Sequence, residues 1–334
     1  MHDTRDLSAL FPQQSLLPAP PTALALLDHE RILEVSGVDA TRFLQGQLTC
    51  DVATLPAGSS TLGARCNPKG RMQSSFRLLK LTDDHFLLAM DAELLEPQQT
   101  DLAKYAAFFK VKLSDCTDQW VRLGLWGQQA RQALAAAGLA TDAGDPAAGV
   151  PAAGLAVALA EDTLELWLPA DRAQERIEVM AQQAEPDALN AWQLQLIRLG
   201  IGQVHSQTRE SFIPQMLNLQ HLGGVSFRKG CYTGQEIVAR MQYLGKLKKR
   251  MYRLTWAGDQ LPAPGAAILD GDNGRDLGEV VAAARGEGHI ELLAVLQNEA
   301  AQSTTLCLSD ISEPPLAVAT LPYDPQLAAE AAGA

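Results

Sequence analysis

The chain has 334 residues, enough for two or three packed units, and its 47% hydrophobic and 20% charged content is that of a globular rather than a disordered protein. Lys plus Arg number 27 against 39 Asp plus Glu, a net charge of −12, which excludes a generally basic nucleic-acid binder but not a local basic patch. No apolar run approaches the roughly 20 residues that span a bilayer. The first residues lack the basic flank and apolar stretch of a secretory signal, so a soluble, cytoplasmic protein without a membrane or DNA partner is expected.

Residues 1–21 read as an irregular leader, because Pro12, Pro18, Pro20 and Pro21 oppose regular structure. Two strands follow, Ala23 to Leu27 and Ile32 to Val35, then a short helix from Asp39 that Gly46 ends. Asn67-Pro68-Lys69-Gly70 is a turn signal before strands over Phe76 to Leu81 and Phe86 to Met90. Glu93 to Phe109 carries helical spacing. Thr141 to Gly154, rich in Ala, Gly, Asp and Pro, marks a loop or subdomain boundary. Thr163 to Leu168 alternates as a strand, and Arg172 to Glu185 and Ala188 to Leu199 are amphipathic helices. Beyond Arg250, short strand-like pieces (Met251 to Trp256, Ala266 to Leu269, Leu277 to Ala284, Ile290 to Leu296) suggest a small antiparallel β domain. The reading is an α+β body over 22–245, in two subdomains, followed by a β-barrel domain over 250–330.

Cys50, Cys66, Cys116, Cys231 and Cys307 are odd in number and show no C-x-x-C spacing, so neither a disulfide framework nor a zinc site is indicated. Cys231 stands apart. It follows Arg228, Lys229 and Gly230, and Tyr232, Thr233, Gly234, Gln235 and Glu236 come after it. Val225 to Phe227 reads as a short strand, and Thr233 with Glu236 as a capping box opening a helix near Gly234. A helix N-terminus and neighbouring cations favour thiolate over thiol, and the glycines allow close approach of a partner. The alternative is an inert thiol packed in a tight turn.

Between 228 and 253 stand Arg228, Lys229, Arg240, Lys246, Lys248, Lys249, Arg250 and Arg253, with Glu236 as the one acid. Such a patch suits RNA phosphate or the glutamate tail of a folate; the alternative is a solvated charged loop. Trp192 could stack on a flat heterocycle or serve as core. The six histidines show no metal-binding spacing, and neither a G-x-G-x-x-G nor a P-loop sequence is present.

Lys229-Gly230-Cys231-Tyr232-Thr233-Gly234-Gln235-Glu236 closely resembles the motif of the YgfZ family, a folate-binding family related to the T-protein (aminomethyltransferase) of the glycine cleavage system. The likeness extends to Phe43 to Thr49 with Asp51-Val52, Lys104-Tyr105 with Phe109-Lys110-Val111, the Phe212 to Met241 block, and Leu321-Pro322-Tyr323. It implies a three-subdomain cloverleaf of the T-protein type with a C-terminal small β-barrel. It further implies tetrahydrofolate or a derivative as ligand, a folate-site tryptophan at Trp192, and Cys231 as the residue tied to activity. Family members are linked to synthesis or repair of iron–sulfur clusters in client enzymes, among them radical enzymes that thiomethylate tRNA.

Departures accompany the likeness. Ser74-Ser75 stand where the T-protein has its catalytic aspartate, so aminomethyl transfer is not expected. Arg198-Leu199-Gly200 aligns with a pterin-holding Glu-Ala-Gly, and an arginine only donates hydrogen bonds. The family's early-strand tryptophan is absent near His29 and Glu30. The expectation is a folate-binding, non-enzymatic assembly or repair factor working through Cys231. The alternatives are a tRNA-binding module using the basic patch and a tetrahydrofolate-dependent one-carbon transferase.

Overall fold

A computed structural model of the chain describes residues 4–140, 154–243, 245, 247–308 and 315–326. In chain order these form β1 (Thr22–Leu26), β2 (Glu30–Ser36), α1 (Ala40–Gln45), β3 (Ser60–Cys66), β4 (Met72–Thr82), β5 (His85–Asp91), α2 (Leu95–Ala106), β6 (Lys112–Asp115) and β7 (Trp120–Gly127). Next come α3 (Ala130–Ala136), β8 (Leu155–Ala160), β9 (Thr163–Pro169), α4 (Ala170–Met180), β10 (Glu185–Pro186), α5 (Leu189–Arg198) and α6 (Gln235–Tyr243). The last part holds β11 (Lys249–Trp256), β12 (Ala267–Asp270), β13 (Asp276–Arg285), β14 (Ile290–Gln297), β15 (Leu306–Cys307) and β16 (Ala317–Ala319). The fold is α+β, as expected.

The chain divides into two compact units, one of residues 1–43, 52–61 and 77–192, the other of residues 44–51, 62–76 and 193–334. The three-part division at 21/22, within 141–154 and at 245/250 remains an organisational proposal, and 141–153 lies outside the described residues.

In the first unit a sheet of order β10-β1-β7-β9-β8 is antiparallel except for the parallel β1–β10 pair. Alternate residues of β7 (Val121, Leu123, Leu125) and of β9 (Leu164, Leu166, Leu168) share a core with Ala133 of α3 and Ile177 and Met180 of α4. The opposite face of the same strands carries charge. Arg122 is ion-paired to Glu30 and, at 2.9 Å, to Glu165, which pairs with Arg77 at 2.8 Å; the Arg122 guanidinium also lies 4.3 Å from the Trp167 ring centre. Burial pushes the Glu165 carboxyl up, but the two guanidiniums overcome it and hold it below the usual carboxylate range.

A second sheet, β3-β4-β5-β2-β6, has strands β3 and β4 divided between the two units. The third, β15-β12-β13-β14-β11-β16, belongs to the second unit and is antiparallel throughout. It curls into a half-barrel around Leu254, Trp256, Ile268, Val280, Leu292 and Leu296.

Several local expectations need correction. The leader is not wholly irregular: Thr4–Leu10 is a 3-10 helix, and Leu7 and Phe11 are buried in the first unit's core. The helix expected to reach Glu185 stops at Met180, because Glu185 pairs with Ala23 as an edge strand and Pro186 disfavours helix before it. Val225 to Phe227 is not a strand; its backbone is tied to the Cys50 segment instead, through the Ser226 N–H to the Thr49 carbonyl at 2.9 Å.

Candidate functional site: a cysteine turn on a buried lysine

Residues 224–234 run across the segment 46–50 and the turn at 66–70, all within the second unit. Thr49 fixes one end: its hydroxyl donates to the Gly224 carbonyl at 2.7 Å and accepts the Ala64 N–H at 2.9 Å. At the other end the Thr233 N–H donates to the Gly46 carbonyl at 3.3 Å. Gly234 has φ +85, and a Cβ there would stand 2.5 Å from the Asn67 carbonyl oxygen, so glycine is required on both counts. An added Cβ at Gly230, by contrast, meets nothing within 4 Å, and the backbone beside Cys231 is open.

Lys229 is the anchor of this turn. Its side chain enters the protein, and Nζ donates to the Leu48 carbonyl at 2.8 Å and the Cys50 carbonyl at 2.7 Å, with the Tyr232 ring centre 5.2 Å away. Burial lowers its pKa to about 8, against the raising influence of Cys50 and Asp51. Tyr232 is buried beside it, its pKa pushed up by burial, and its hydroxyl finds no hydrogen-bond partner among the described residues. With Lys229 and Tyr232 pointing in, Cys231 between them is exposed.

The five cysteines, all described, separate cleanly. Cys50, Cys66 and Cys116 are buried, and burial pushes each thiol up to about 12; Cys307 is buried and also raised. Four are therefore inert thiols packed as apolar groups, and Cys231 alone faces solvent. Among the described residues no cluster of three or more His, Cys, Asp or Glu could hold a metal ion.

Two features expected around Cys231 are absent. The Lys229 ammonium is committed to backbone carbonyls inside the protein and does not stand beside the thiol. The capping box is not formed, since the Thr233 N–H goes to Gly46 and Glu236 is exposed; α6 starts at Gln235, whose N–H goes to the Tyr232 carbonyl at 3.1 Å. Three residues separate Cys231 from the helix, and the dipole acts mainly within its first turn.

The basic patch is only partly a surface. Arg228, Arg240 and Lys248 are exposed, Lys249 and Arg250 are half-buried at the start of β11, and Lys246 lies outside the described residues. Tyr243, 68% exposed, follows Arg240 by three positions on α6 and so shares its face; its ring meets Phe227 edge-on at 6.1 Å.

The expected ligand contacts are committed elsewhere. Trp192 is 1% exposed in the first unit, lying on Gly124, where a Cβ would come within 2.2 Å of its ring, and 5.9 Å from the Trp126 ring centre. Arg198, at the end of α5, donates from Nε and Nη2 to Glu291 Oε1 at 3.0 and 2.7 Å. Arg253 takes the other oxygen at 2.8 and 2.5 Å. Burial works against the Glu291 charge, but these bonds hold its carboxyl below the usual range. Sequence reasoning missed Glu291 and the Lys229 anchor; a lone charge in an apolar run, as in Ile290-Glu291-Leu292-Leu293, was the available signal. Ser74 and Ser75 are buried; Ser75 Oγ accepts the Val204 N–H at 2.7 Å, and Ser74 Oγ has no partner among the described residues.

Residues 22–149 match the GCVT N-terminal domain model. The chain is 36% identical over 310 residues to the tRNA-modifying protein YgfZ of Photobacterium profundum, covering 91% of this chain and 92% of that protein. It is 34% identical over 329 residues to the tRNA-modifying protein YgfZ of Yersinia enterocolitica, covering 94% and 96%. Among solved structures it is similar to the glycine cleavage system aminomethyltransferase T from Bartonella henselae, with a TM-score of 0.68 at 20% identity over 94% of this chain and 88% of that one, a likeness of fold.

Proposed function

This chain belongs to the YgfZ family of tRNA-modifying proteins, and from that premise we propose that it is a folate-binding accessory factor for iron–sulfur client enzymes, including those that thiomethylate tRNA, with the Cys231 thiol as its working group. The observation that carries this reading is the separation of the cysteines: four are shut away, while Cys231 is held outward by inward-pointing neighbours beside an open glycine. Thiolate is a nucleophile and a soft ligand for iron. A single exposed thiol suits transient engagement of a partner's cluster, whereas holding a stable cluster within one chain takes several thiolates.

Tetrahydrofolate or a derivative is the ligand the T-protein likeness suggests. The two contacts expected for it do not stand open, since Trp192 is enclosed and Arg198 is paired with Glu291, so a folate would be held by other residues. Aminomethyl transfer is disfavoured by Ser74 and Ser75, buried serines where that chemistry uses a carboxylate.

A second reading, direct tRNA binding, rests on the exposed Arg228, Arg240 and Lys248 beside the exposed ring of Tyr243. Cations track phosphates and an aromatic face stacks on an unpaired base.

The test of the main reading is iron–sulfur enzyme activity under oxidative stress in cells whose sole copy carries Cys231→Ala. Activity should fall to the level of cells lacking the protein. Full activity would remove Cys231 from the mechanism.

A further inference from the structure

The first unit exposes a set of apolar side chains that the cysteine turn does not use. Phe108 is 83% exposed, Val38 76% and Tyr105 40%. They sit on two segments that the backbone locks together. The Lys110 N–H donates to Asp39 Oδ2 at 2.8 Å, and Gly37, at φ +133, packs so closely that a Cβ there would lie 2.2 Å from the Lys110 carbonyl. Phe109 turns inward, 5.4 Å from the Phe43 ring centre and under the Arg42 guanidinium at 5.0 Å. Phe108, its neighbour on an anchored turn after α2, is thereby held out in water.

Cations rim this apolar centre. Lys104, Lys110 and Lys112 are exposed, as is Arg42, and residues 102–114 contain no acid although the chain carries 39 of them. The nearby carboxylates are already engaged: Asp101 with Lys104 at 2.9 Å, and Asp39 with Arg42 at 3.3 Å and with the Lys110 N–H. An aromatic anchor with an excess of positive charge around it has the anatomy of a protein interface, an apolar centre within a polar rim, and the sign of that excess selects the opposite charge.

We propose that Val38, Tyr105 and Phe108, rimmed by Arg42, Lys104, Lys110 and Lys112, form a docking site for a protein partner whose matching surface is acidic around an apolar pocket, with Phe108 as the anchor. The surface goes beyond the role of Cys231 and stands or falls separately. The aliphatic Val38 beside the aromatic anchor favours protein over nucleic acid as the occupant.

The test places the photo-crosslinker p-benzoylphenylalanine at position 108 of the full chain in cells, with the same group at the exposed Glu175 of α4 as control. The expected product is an adduct whose cross-linked peptide is rich in Asp and Glu, lost when Lys110→Glu and Lys112→Glu are combined. The purified partner should then bind the Phe108→Ala chain about 30-fold more weakly than wild type, the size expected for an interface anchor. Phe108 is solvated, so this variant keeps the fold. An adduct with RNA or with a second copy of the chain, one insensitive to the lysine changes, or none above control would each overturn the proposal. None of these outcomes bears on the Cys231→Ala result, so the two readings fail independently.

Discussion

Replacing Lys229 by methionine tests the anchor beneath the cysteine turn. Met keeps the apolar stem and removes the charge and its two hydrogen bonds, leaving the Leu48 and Cys50 carbonyls without their donor. Unpaired buried acceptors cost ~1–3 kcal/mol each. Against this, the ammonium is itself a burden: burial takes its pKa from the ordinary 10.5 to about 8, a drop worth ~3 kcal/mol. At neutral pH the two effects partly offset, and the variant should lie within ~3 kcal/mol of wild type. The pH dependence separates them. Between pH 8 and 10.5 the unfolded chain holds a proton on Lys229 that the folded chain has lost, so wild-type stability rises with pH through that window. The contribution is complete above 10.5 and is lost as pH falls through 8. Urea unfolding of both proteins across this window should show the wild type gaining on Lys229→Met by ~3 kcal/mol, at ~1.4 kcal/mol per pH unit. Parallel curves, or a wild type that loses ground, would refute the buried-lysine account.

Glu165→Leu strands the buried guanidiniums of Arg77 and Arg122 and should cost ~3–5 kcal/mol in urea unfolding; equal stability would contradict the ion network. Gly234→Ala meets both a positive φ and the Asn67 carbonyl, so it should lower stability by ~1–3 kcal/mol and alter the alkylation rate of Cys231, whereas Gly230→Ala should do neither. In the native protein a thiol reagent should modify Cys231 rapidly and the other four cysteines only on unfolding, as peptide mapping would show. If RNA binds at the exposed cations, Lys248→Glu should weaken it and lower its salt dependence, each lost phosphate contact reducing the slope by ~0.7 for a single strand; an unchanged slope would dismiss that reading.

The sequence was most legible where polar or glycine-containing turns bound an element. β2, β5, β9 and the half-barrel strands β11 to β14 fall within a few residues of expectation, because alternation or turn chemistry marks them. It was least legible at Trp120 to Gly127, which carries no clear alternation, since one face meets the helices and the other holds Arg122, Gly124 and Trp126 under cover. The eight-residue motif located the cysteine turn, but spacing cannot say which way a side chain points. Lys229 looked like a cation beside the thiol and is instead the peg that fixes the turn, a role set by carbonyls some 180 residues earlier in the chain. Trp192 likewise offered an indole face in sequence, and Gly124 and Trp126 occupy it.

The most direct measurement is the thiomethylated fraction of tRNA in cells whose sole copy of this protein carries Cys231→Ser, compared with Cys116→Ser, which alters a buried thiol of the first unit. The account predicts that Cys231→Ser falls to the level of cells lacking the protein while Cys116→Ser matches wild type. Wild-type levels with Cys231→Ser would contradict it.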